Sequence, residues 1–551
     1  MKILLITLNS KHVHSNLALR YLSKKIKENW DWNIIEFTIN QKEDIILREL
    51  YENNSDIYAF SVYIWNFEQT LRIINNLKRL KPKSKILLGG PEVSYEYNNV
   101  IKLEYVDYII KGEGDTSFSL FLDNYYNNEL IKTPGLVTKE FDNDFFEPEF
   151  DEILFPYDEK DILEDKMIYY ESSRGCPYKC SYCLSSSGKK TRFKELDQVL
   201  KDIDFFIRKK PRIVKFIDRT FNIDKERSIS IINHIIKNDN GVTTFHMELS
   251  PNNIDDEFID CLKGIRCGLI QFEIGVQSIY SQVVKEISRK QEFFLYKDML
   301  LKLMENKNIH IHLDLIAGLP FETFQMYLNS FREVINLNPD HFQLGILKLI
   351  KGTKLRKESN KYDYLFEKTQ PYPILSNKFL SYEQLQKIKD LEETMEVFYN
   401  SQNMTNVIKL LKNNYDLSNI LIQFSEYLSN IKFFKIPKSV EEKFYAIKNF
   451  LKASNMYNYE IAIMLHIDYS FLKPNKKINF NFGINEVDYK KVLNKFPFNE
   501  CIDNFKDMKR TDVLKRIMIL IIEHKDDLLV IDYNSKEYKI FESKEWRRYL
   551  D

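Results

Sequence analysis

A chain of 551 residues exceeds what one hydrophobic core usually holds, so two or three domains are expected. Hydrophobic residues at 44% suffice for packed cores, and 80 basic against 80 acidic side chains exclude broad electrostatic binding to nucleic acid or an anionic membrane surface. The longest apolar run, Ile517 to Ile522, is too short to cross a bilayer, which excludes a transmembrane helix. Met1 to Leu8 reads as a strand without a signal-peptide cleavage region, so a cytoplasmic, reducing location is the expectation, with thiols free or bound to metal.

In chain order, Lys2 to Leu8, Ile34 to Phe37, Ile57 to Val62, Ile86 to Leu88 and Val106 to Ile110 are apolar strand candidates. Amphipathic stretches separate them, one carrying Leu19, Leu22 and Ile26 on a face, another Ile73, Leu77 and Leu80. Apolar strands joined by helices imply a parallel sheet covered on both sides, an α/β Rossmann-like domain over residues 1–130. Such sheets bind ligands beyond the carboxyl ends of their strands, where Asn9 to Asn16, Ser61 to Asn66, Gly89 to Glu92 and Gly112 to Thr116 fall. No Gly-x-Gly-x-x-Gly follows the first strand, so a dinucleotide is not expected. Residues 131–168 carry Pro134, Pro148 and Pro156 with no sustained period and read as a linker.

Cys176, Cys180 and Cys183 then stand at Cys-x3-Cys-x2-Cys spacing in a loop opened by Gly175 and Pro177. Three soft thiolates converging on one turn select an iron-sulfur cluster or zinc. Zinc needs a fourth ligand, and no second Cys or Cys/His pair follows nearby; three ligands on a cubane leave one iron open. An incomplete zinc site and three structural thiols are the alternatives. Lys189-Lys190-Thr191-Arg192-Phe193-Lys194, the nearest thing to a basic patch, reads as a solvated loop, and Cys261, Cys267 and Cys501 as buried thiols.

From residue 169 to 350, six strand candidates recur at 168–173, 213–218, 243–249, 269–277, 309–316 and 341–347, with helix-period segments between them. A partial parallel barrel is the economical topology. Strand alternation sets Ile270, Phe272, Ile274 and Val276 against Gln271, Glu273, Gly275 and Gln277. It likewise sets Ile309, Ile311, Leu313 and Leu315 against His310, His312 and Asp314, and Phe245, Met247 and Leu249 against His246, Glu248 and Ser250. Apolar faces must meet the helices, so the polar faces point inward and line a cavity for a polar ligand. His310, His312 and Asp314 also have the spacing of a metal triad, although polar lining explains them without a metal.

The cysteine spacing, with Tyr182 before the third cysteine, resembles the radical S-adenosylmethionine (SAM) superfamily. Glu273-Ile274-Gly275-Val276-Gln277-Ser278 is similar to its fourth-strand motif, near the SAM ribose and methionine, and Leu313 to Pro320 to its fifth-strand motif, near the adenine. Phe216 to Asn222 resembles the second-strand segment, with Arg219 where an acidic residue is usual. The amino-terminal domain resembles cobalamin-binding domains, with Ser61-Val62-Tyr63 and Gly89-Gly90 in the places of their Ser-x-Leu and Gly-Gly loops. The whole order is similar to a subgroup of cobalamin-domain radical SAM proteins that ends in a domain of unknown function.

This resemblance implies a 4Fe-4S cluster on Cys176, Cys180 and Cys183, and SAM contacts from Tyr182, Ser250, Glu273, Gly275, Gln277, Ser278, Asp314 and Gly318. It implies cobalamin contacts from Ser61, Tyr63, Gly89, Gly90 and Glu113. His12-Val13-His14-Ser15-Asn16-Leu17 lacks the Asp and the Gly of the usual cobalt-ligand loop, so cobalamin is expected without a protein histidine on cobalt. The implied activity is reductive cleavage of SAM to a 5'-deoxyadenosyl radical and methylation of an unactivated carbon of a small molecule or peptide, with flavodoxin or ferredoxin as electron donor. Ring formation, oxidation or rearrangement with the same cofactors is a second reading, and a non-catalytic cofactor-binding protein a third. A methylthiotransferase would need further cysteines, and residues 1–150 contain none.

Residues 351–551 are expected to form a mainly helical carboxy-terminal domain without recognisable chemistry. Ser381-x-x-Gln384 is a capping box before Ile388, Leu391, Met395 and Phe398; helices follow at 404–432 and 439–465, and a hairpin flanks Asn534-Ser535.

Overall fold

The computed structural model describes residues 1–548 except 29, 146, 148–153, 162, 164–165, 189, 474–491, 493–494, 507 and 523–526. The chain forms two compact units, Met1–Leu385 and Gln386–Asp551.

The first unit opens with a sheet in which the interior strand β1 (Lys2–Asn9) is buried on both faces. It lies parallel to β2 (Asp31–Thr38) on one side and to β3 (Ile57–Ser61) on the other, and the sheet continues through β4 (Lys85–Gly89) and β5 (Tyr108–Ile110). Leu4, Ile6 and Leu8 pack with Ile73, Ile74 and Leu77 on one side, and Ile3 and Leu5 with Phe118, Phe121 and Leu122 on the other. Double coverage of this kind makes the strands near-continuous apolar runs. Leu80, expected on the buried face of its helix, is exposed in the last turn, where the buried stripe has ended at Leu77. The sheet also runs past the expected boundary at 130: Leu136 and Val137 form an antiparallel edge strand, β6, on β5. Two residues are too few for any period to show.

A second sheet starts at β7 (Met167–Tyr170). A two-stranded ribbon, β8 (Ser173–Arg174) with β9 (Arg192–Phe193), then brackets the cysteine loop. The sheet resumes through β10 (Ile213–Phe216), β11 (Thr244–Leu249), β12 (Ile270–Gln277), β13 (His310–Ala317) and β14 (His341–Ile346), each parallel to its predecessor. Ile270, Phe272, Ile274 and Val276 are fully buried on the outer face of β12, and Ile311, Leu313 and Leu315 on that of β13. The expected inward polar row follows by alternation.

Residues 351–385 belong to the first unit rather than to the carboxy-terminal one. The backbone amide of Leu349 donates to Tyr372 O and that of Ile374 to Leu347 O, each at 3.0 Å, so this segment extends the edge beyond β14. It holds a small antiparallel pair, β15 (Leu365–Phe366) with β16 (Ile374–Ser376). The Ser381/Gln384 capping box forms, with both reciprocal bonds present.

In the second unit the two long expected helices are four. The first stretch breaks between Thr405–Asn414 and Leu417–Asn430, where Asp416 caps the second helix, and the next between Val440–Ala453 and Tyr459–Leu472, where Asn458 does the same. Asp and Asn compete with the helix for backbone amides, so an apolar period reads through such breaks unseen. The terminal hairpin, β18 (Asp527–Asp532) with β19 (Glu537–Phe541), gains a third antiparallel strand, β17 (Ile517–Ile522).

Candidate functional site

The cysteine loop is held from three directions. Gly175 has φ +97°, and a Cβ there would lie 2.6 Å from Lys190 O, so only glycine passes under the ribbon. Just before it, Ser172 N, Ser172 Oγ and Ser173 Oγ all donate to Asp218, at 2.8, 2.6 and 2.6 Å. Burial pushes the Asp218 carboxyl up to about 6 against these donors. Beyond the loop, Arg289 donates to Tyr182 Oη (3.1 Å) and Gly275 O (2.6 Å), and its Nη1 lies 3.9 Å from Cys180 Sγ. Burial pushes the Cys180 thiol up while the Arg289 guanidinium pulls it back toward thiolate. Cys176 Sγ lies 3.6 Å from Thr220 Oγ1. Sequence reasoning missed Arg289; no motif surrounds it, and only the fold of the loop after the helix Ser281–Glu286, which turns its guanidinium back to Gly275 O in β12, makes it a brace.

Of the eight residues expected at SAM, six lie on the inner side of this loop or in the lumen below it. Ser250 Oγ meets Tyr178 Oη at 2.9 Å, Tyr182 is bound by Arg289, and the Gln277 amide lies where a Cβ on Gly275 would be, at 2.2 Å. Gln277 Oε1 and, further down, Asp314 Oδ1 are buried with no hydrogen-bond partner among the described residues. Buried polar atoms are almost always paired, so these two fit the polar groups of a bound ligand. Burial and the neighbouring Glu273 and Glu248 carboxylates push Asp314 up to about 8, which leaves it a donor at neutral pH. Glu273 accepts from Lys215 Nζ at 3.1 Å and lies 3.2 Å from His246 Nε2, and His246 with Lys215 lowers it to about 2 despite burial.

Ser278 and Gly318 are not brought to this space. Ser278 donates to the buried Glu322 carboxyl, and Gly318 O accepts from Tyr364 and Asn377 while Ile374 covers its Cα. The strand ends there turn into packing with residues 364–377, which the likeness to a motif does not reveal. In the lower lumen His312 Nε2 meets Gln271 at 2.6 Å and its ring stacks on His341 at 4.6 Å. Among the described residues no three His, Cys, Asp or Glu side chains close round a single ion. Cluster thiolates each take a different iron and need not meet at a point.

A cavity of about 440 Å³ lies beyond the carboxyl ends of β1, β3, β4 and β5. All five residues expected at cobalamin, Ser61, Tyr63, Gly89, Gly90 and Glu113, line it, and its opposite wall comes from Glu171, Arg174, Gly175, Leu184 and Arg219 around the cysteine loop. Gly90 has φ +111° and a Cβ there would stand 2.5 Å from Val62 O, so its bare backbone is what brings the loop alongside the cavity. Glu113 carries more than a contact: it accepts from Arg192 and, at 2.9 Å, from Arg174, which also pairs with Asp115 and Glu171. The presumed solvated loop is therefore structural, since Arg192 is buried on Glu113 and Lys194 on Asp202. A run of like charges reads as solvated only while its acidic partners, 79 and 8 residues away, go unseen. Cys267, expected buried, is exposed in the turn before β12.

Two sequence segments without assigned roles meet at the cavity's edge. Glu92, 3% exposed, accepts from Lys351 at 2.8 Å, Gln370 at 3.0 Å and Tyr372. The Arg356 fork takes Glu96 at 2.6 and 2.7 Å. The Gly89-Gly90 loop is thus tied to the end of the barrel. His14 sits elsewhere, with Nδ1 2.6 Å from Tyr169 Oη and its ring stacked on Tyr169, and it does not line the cavity.

Comparisons with known proteins match three stretches of the chain. Residues 3–122 match the B12 binding domain, residues 170–334 the radical SAM superfamily, and residues 360–541 a protein family of unknown function, DUF4080. The chain thus combines a B12 binding domain, a radical SAM domain and a domain of unknown function, the first two being the domains of cobalamin and of SAM with a 4Fe-4S cluster. It is 26% identical over 325 residues to the cobalamin-dependent radical SAM methyltransferase TokK of Streptomyces tokunonensis, which covers 53% of this chain and 47% of TokK. It is 22% identical over 402 residues to the uncharacterized methyltransferase PH0819 of Pyrococcus horikoshii, covering 68% and 85%. The chain spans about half the length of TokK. Among solved structures, the cobalamin-dependent SAM radical enzyme OxsB with aqua-cobalamin bound has a TM-score of 0.58 at 15% identity, over 86% of this chain and 79% of that one, a likeness of fold. Among the described residues no helix is long and apolar enough to cross a membrane.

Proposed function

We propose that this radical SAM enzyme methylates an unactivated carbon. The observation that carries the reading is the shared cavity: one wall is the glycine loops of the amino-terminal sheet, the other the residues flanking Cys176. A substrate between those walls would face both cofactors, the cluster with SAM supplying hydrogen abstraction and cobalamin supplying the methyl group. Cys176, Cys180 and Cys183 would hold the cluster, Gln277, Asp314, Glu273 and Ser250 would line the SAM space, and Gly89-Gly90 with Ser61 and Tyr63 would receive cobalamin. The protein's work is then binding, orientation and exclusion of water. Arg289 keeps the cluster loop against β12, and the Glu92 and Glu113 pairs keep the two walls at a fixed separation. The relatives named as methyltransferases support the same reading. An electron must come from outside the chain, and a flavodoxin or ferredoxin is the class of donor this chemistry requires.

The test is anaerobic turnover of reconstituted protein with SAM carrying a deuterated methyl group and a low-potential reductant. Methyl transfer gives both 5'-deoxyadenosine and S-adenosylhomocysteine, and a product that gains the labelled methyl group. A product of altered mass without the label would replace methylation by ring formation, oxidation or rearrangement.

A further inference from the structure

We propose that Arg219 anchors an anionic group of the substrate, a carboxylate or a phosphate, at the junction of the two cofactor spaces; this rests on the reading above and names the substrate class it would serve. Arg219 follows β10 and lines the cavity wall. Its backbone is fixed on both sides. Asp218 is buried under its three serine bonds, Thr220 is buried beside Cys176, and Asn222 is fully buried, exchanging two 2.8 Å bonds with the Ser250 backbone. Between these buried neighbours the Arg219 side chain is exposed and lines the cavity.

Its guanidinium has no hydrogen bond or ion pair among the described residues. The other two arginines of the cavity wall are committed: Arg174 to Glu113, Asp115 and Glu171, and Arg192 to Glu113. Arg219 lies within electrostatic reach of Tyr63 on the cobalamin side and of Glu248 on the barrel side, yet forms an ion pair with neither. A planar fork of donors on a fixed backbone, unspent and facing a cavity, matches a carboxylate or phosphate in geometry as well as charge. The polar atoms left unpaired for SAM lie on β12 and β13, and the glycine loops lie on the opposite wall, so the space before Arg219 falls between the two cofactors, where the reacting molecule must be.

The experiment uses full-length protein reconstituted with cluster and cobalamin, titrated calorimetrically with inorganic phosphate, succinate and the neutral isostere succinamide. Wild type should bind phosphate or succinate and not succinamide. Arg219→Gln should weaken the anion by about tenfold or more, the usual scale for a charged hydrogen-bonding fork, and Arg219→Lys should restore part of it. Iron content, SAM affinity and cobalamin occupancy should match wild type in both variants. Anion affinity unchanged in Arg219→Gln, or equal binding of succinamide, overturns the proposal. If Arg219→Gln instead loses SAM affinity or cobalamin occupancy, the anion is the carboxylate of SAM or the phosphate of cobalamin, and the substrate assignment falls. Failure of wild type to take up cobalamin is read separately from its absorption spectrum and would sink methyl transfer while leaving the anion result to stand.

Discussion

The two parallel sheets of the first unit are built from the same unit, a strand followed by a helix, and differ in what one face touches. In the amino-terminal sheet both faces of β1 are apolar because helices cover both, and the ligand space is left to the strand ends and their glycine loops. In the barrel sheet only the outer face is apolar; the inner face carries Lys215, His246, Glu273, His312 and Asp314. A parallel strand that alternates therefore marks a lumen kept open for a polar ligand, whereas one that does not marks a filled layer whose chemistry is confined to its edge. We infer that the first region would hold its cofactor largely by backbone shape and the second by side chains.

This difference can be broken first at the cysteines. Changing Cys176, Cys180 and Cys183 to Ala should reduce reconstituted iron to background while cobalamin uptake stays near wild type, because the glycine loops form without the cluster. A full iron complement in that variant would remove the cluster assignment. The counterpart in the other region is Gly90→Ala, which puts a Cβ 2.5 Å from Val62 O at φ +111°. Strain of about 1–3 kcal/mol should weaken cobalamin binding by roughly tenfold and leave iron content alone. Unchanged cobalamin affinity would show that shape at this loop does not matter.

How much of this could be read from the sequence follows the same divide. The strands of both sheets, their inward and outward faces and the cavity-lining loops were legible because period and turn chemistry are local. The braces were not. Arg289, the Glu92 pairs and the Glu113 pairs join residues from 14 to 280 positions apart, and charged side chains look alike in sequence whether they meet water or each other. The same blindness made the stretch ending in Arg192 and Lys194 look solvated. The placing of Ser278 and Gly318 apart from the lumen was hidden for a related reason: a motif locates strand ends, but Glu322, which binds Ser278, and Tyr364, Ile374 and Asn377, which cover Gly318, lie outside it.

A third measurement sharpens the claim that the lumen works through paired side chains. The Glu273 carboxyl is held down to about 2 against an ordinary 4.5, with the adjacent His246 as the first cause and Lys215 beside it. A depressed carboxylate stabilises the fold above its unfolded value and loses that contribution as pH falls from about 4.5 toward 2. At about 1.4 kcal/mol per tenfold change in proton affinity, the contribution is of order 3 kcal/mol. Glu273→Gln should therefore lie about that much below wild type in urea unfolding at pH 7, and the gap should narrow as the pH approaches 3. A gap independent of pH would mean that packing, not the ion pair, is what Glu273 supplies. The same variant should weaken SAM binding with iron intact.

The smallest expected effect lies where the two regions touch. His14 leaves the amino-terminal sheet after β1 and meets β7 of the barrel: Met167 N donates to Val13 O at 3.2 Å, and His14 Nδ1 meets Tyr169 Oη at 2.6 Å. Burial lowers the His14 imidazole, first by desolvation and then through Lys11 and Lys215, so it is neutral at pH 7 and can accept the Tyr169 proton. With its Nδ1 engaged and its ring stacked 5.9 Å from that of Tyr169, His14 joins the two sheets, and we propose that it gives no ligand to cobalt. His14→Ala and Tyr169→Phe should each cost about 0.5–1.5 kcal/mol, the net value of one such bond. Their double variant should cost less than the sum, since both remove the same contact. Neither should alter the electron paramagnetic resonance spectrum of the cobalt(II) form. Nitrogen hyperfine splitting present in wild type and lost in His14→Ala would mean that this loop swings into the cavity when cobalamin binds, and the joint described here would then be only one of its two positions.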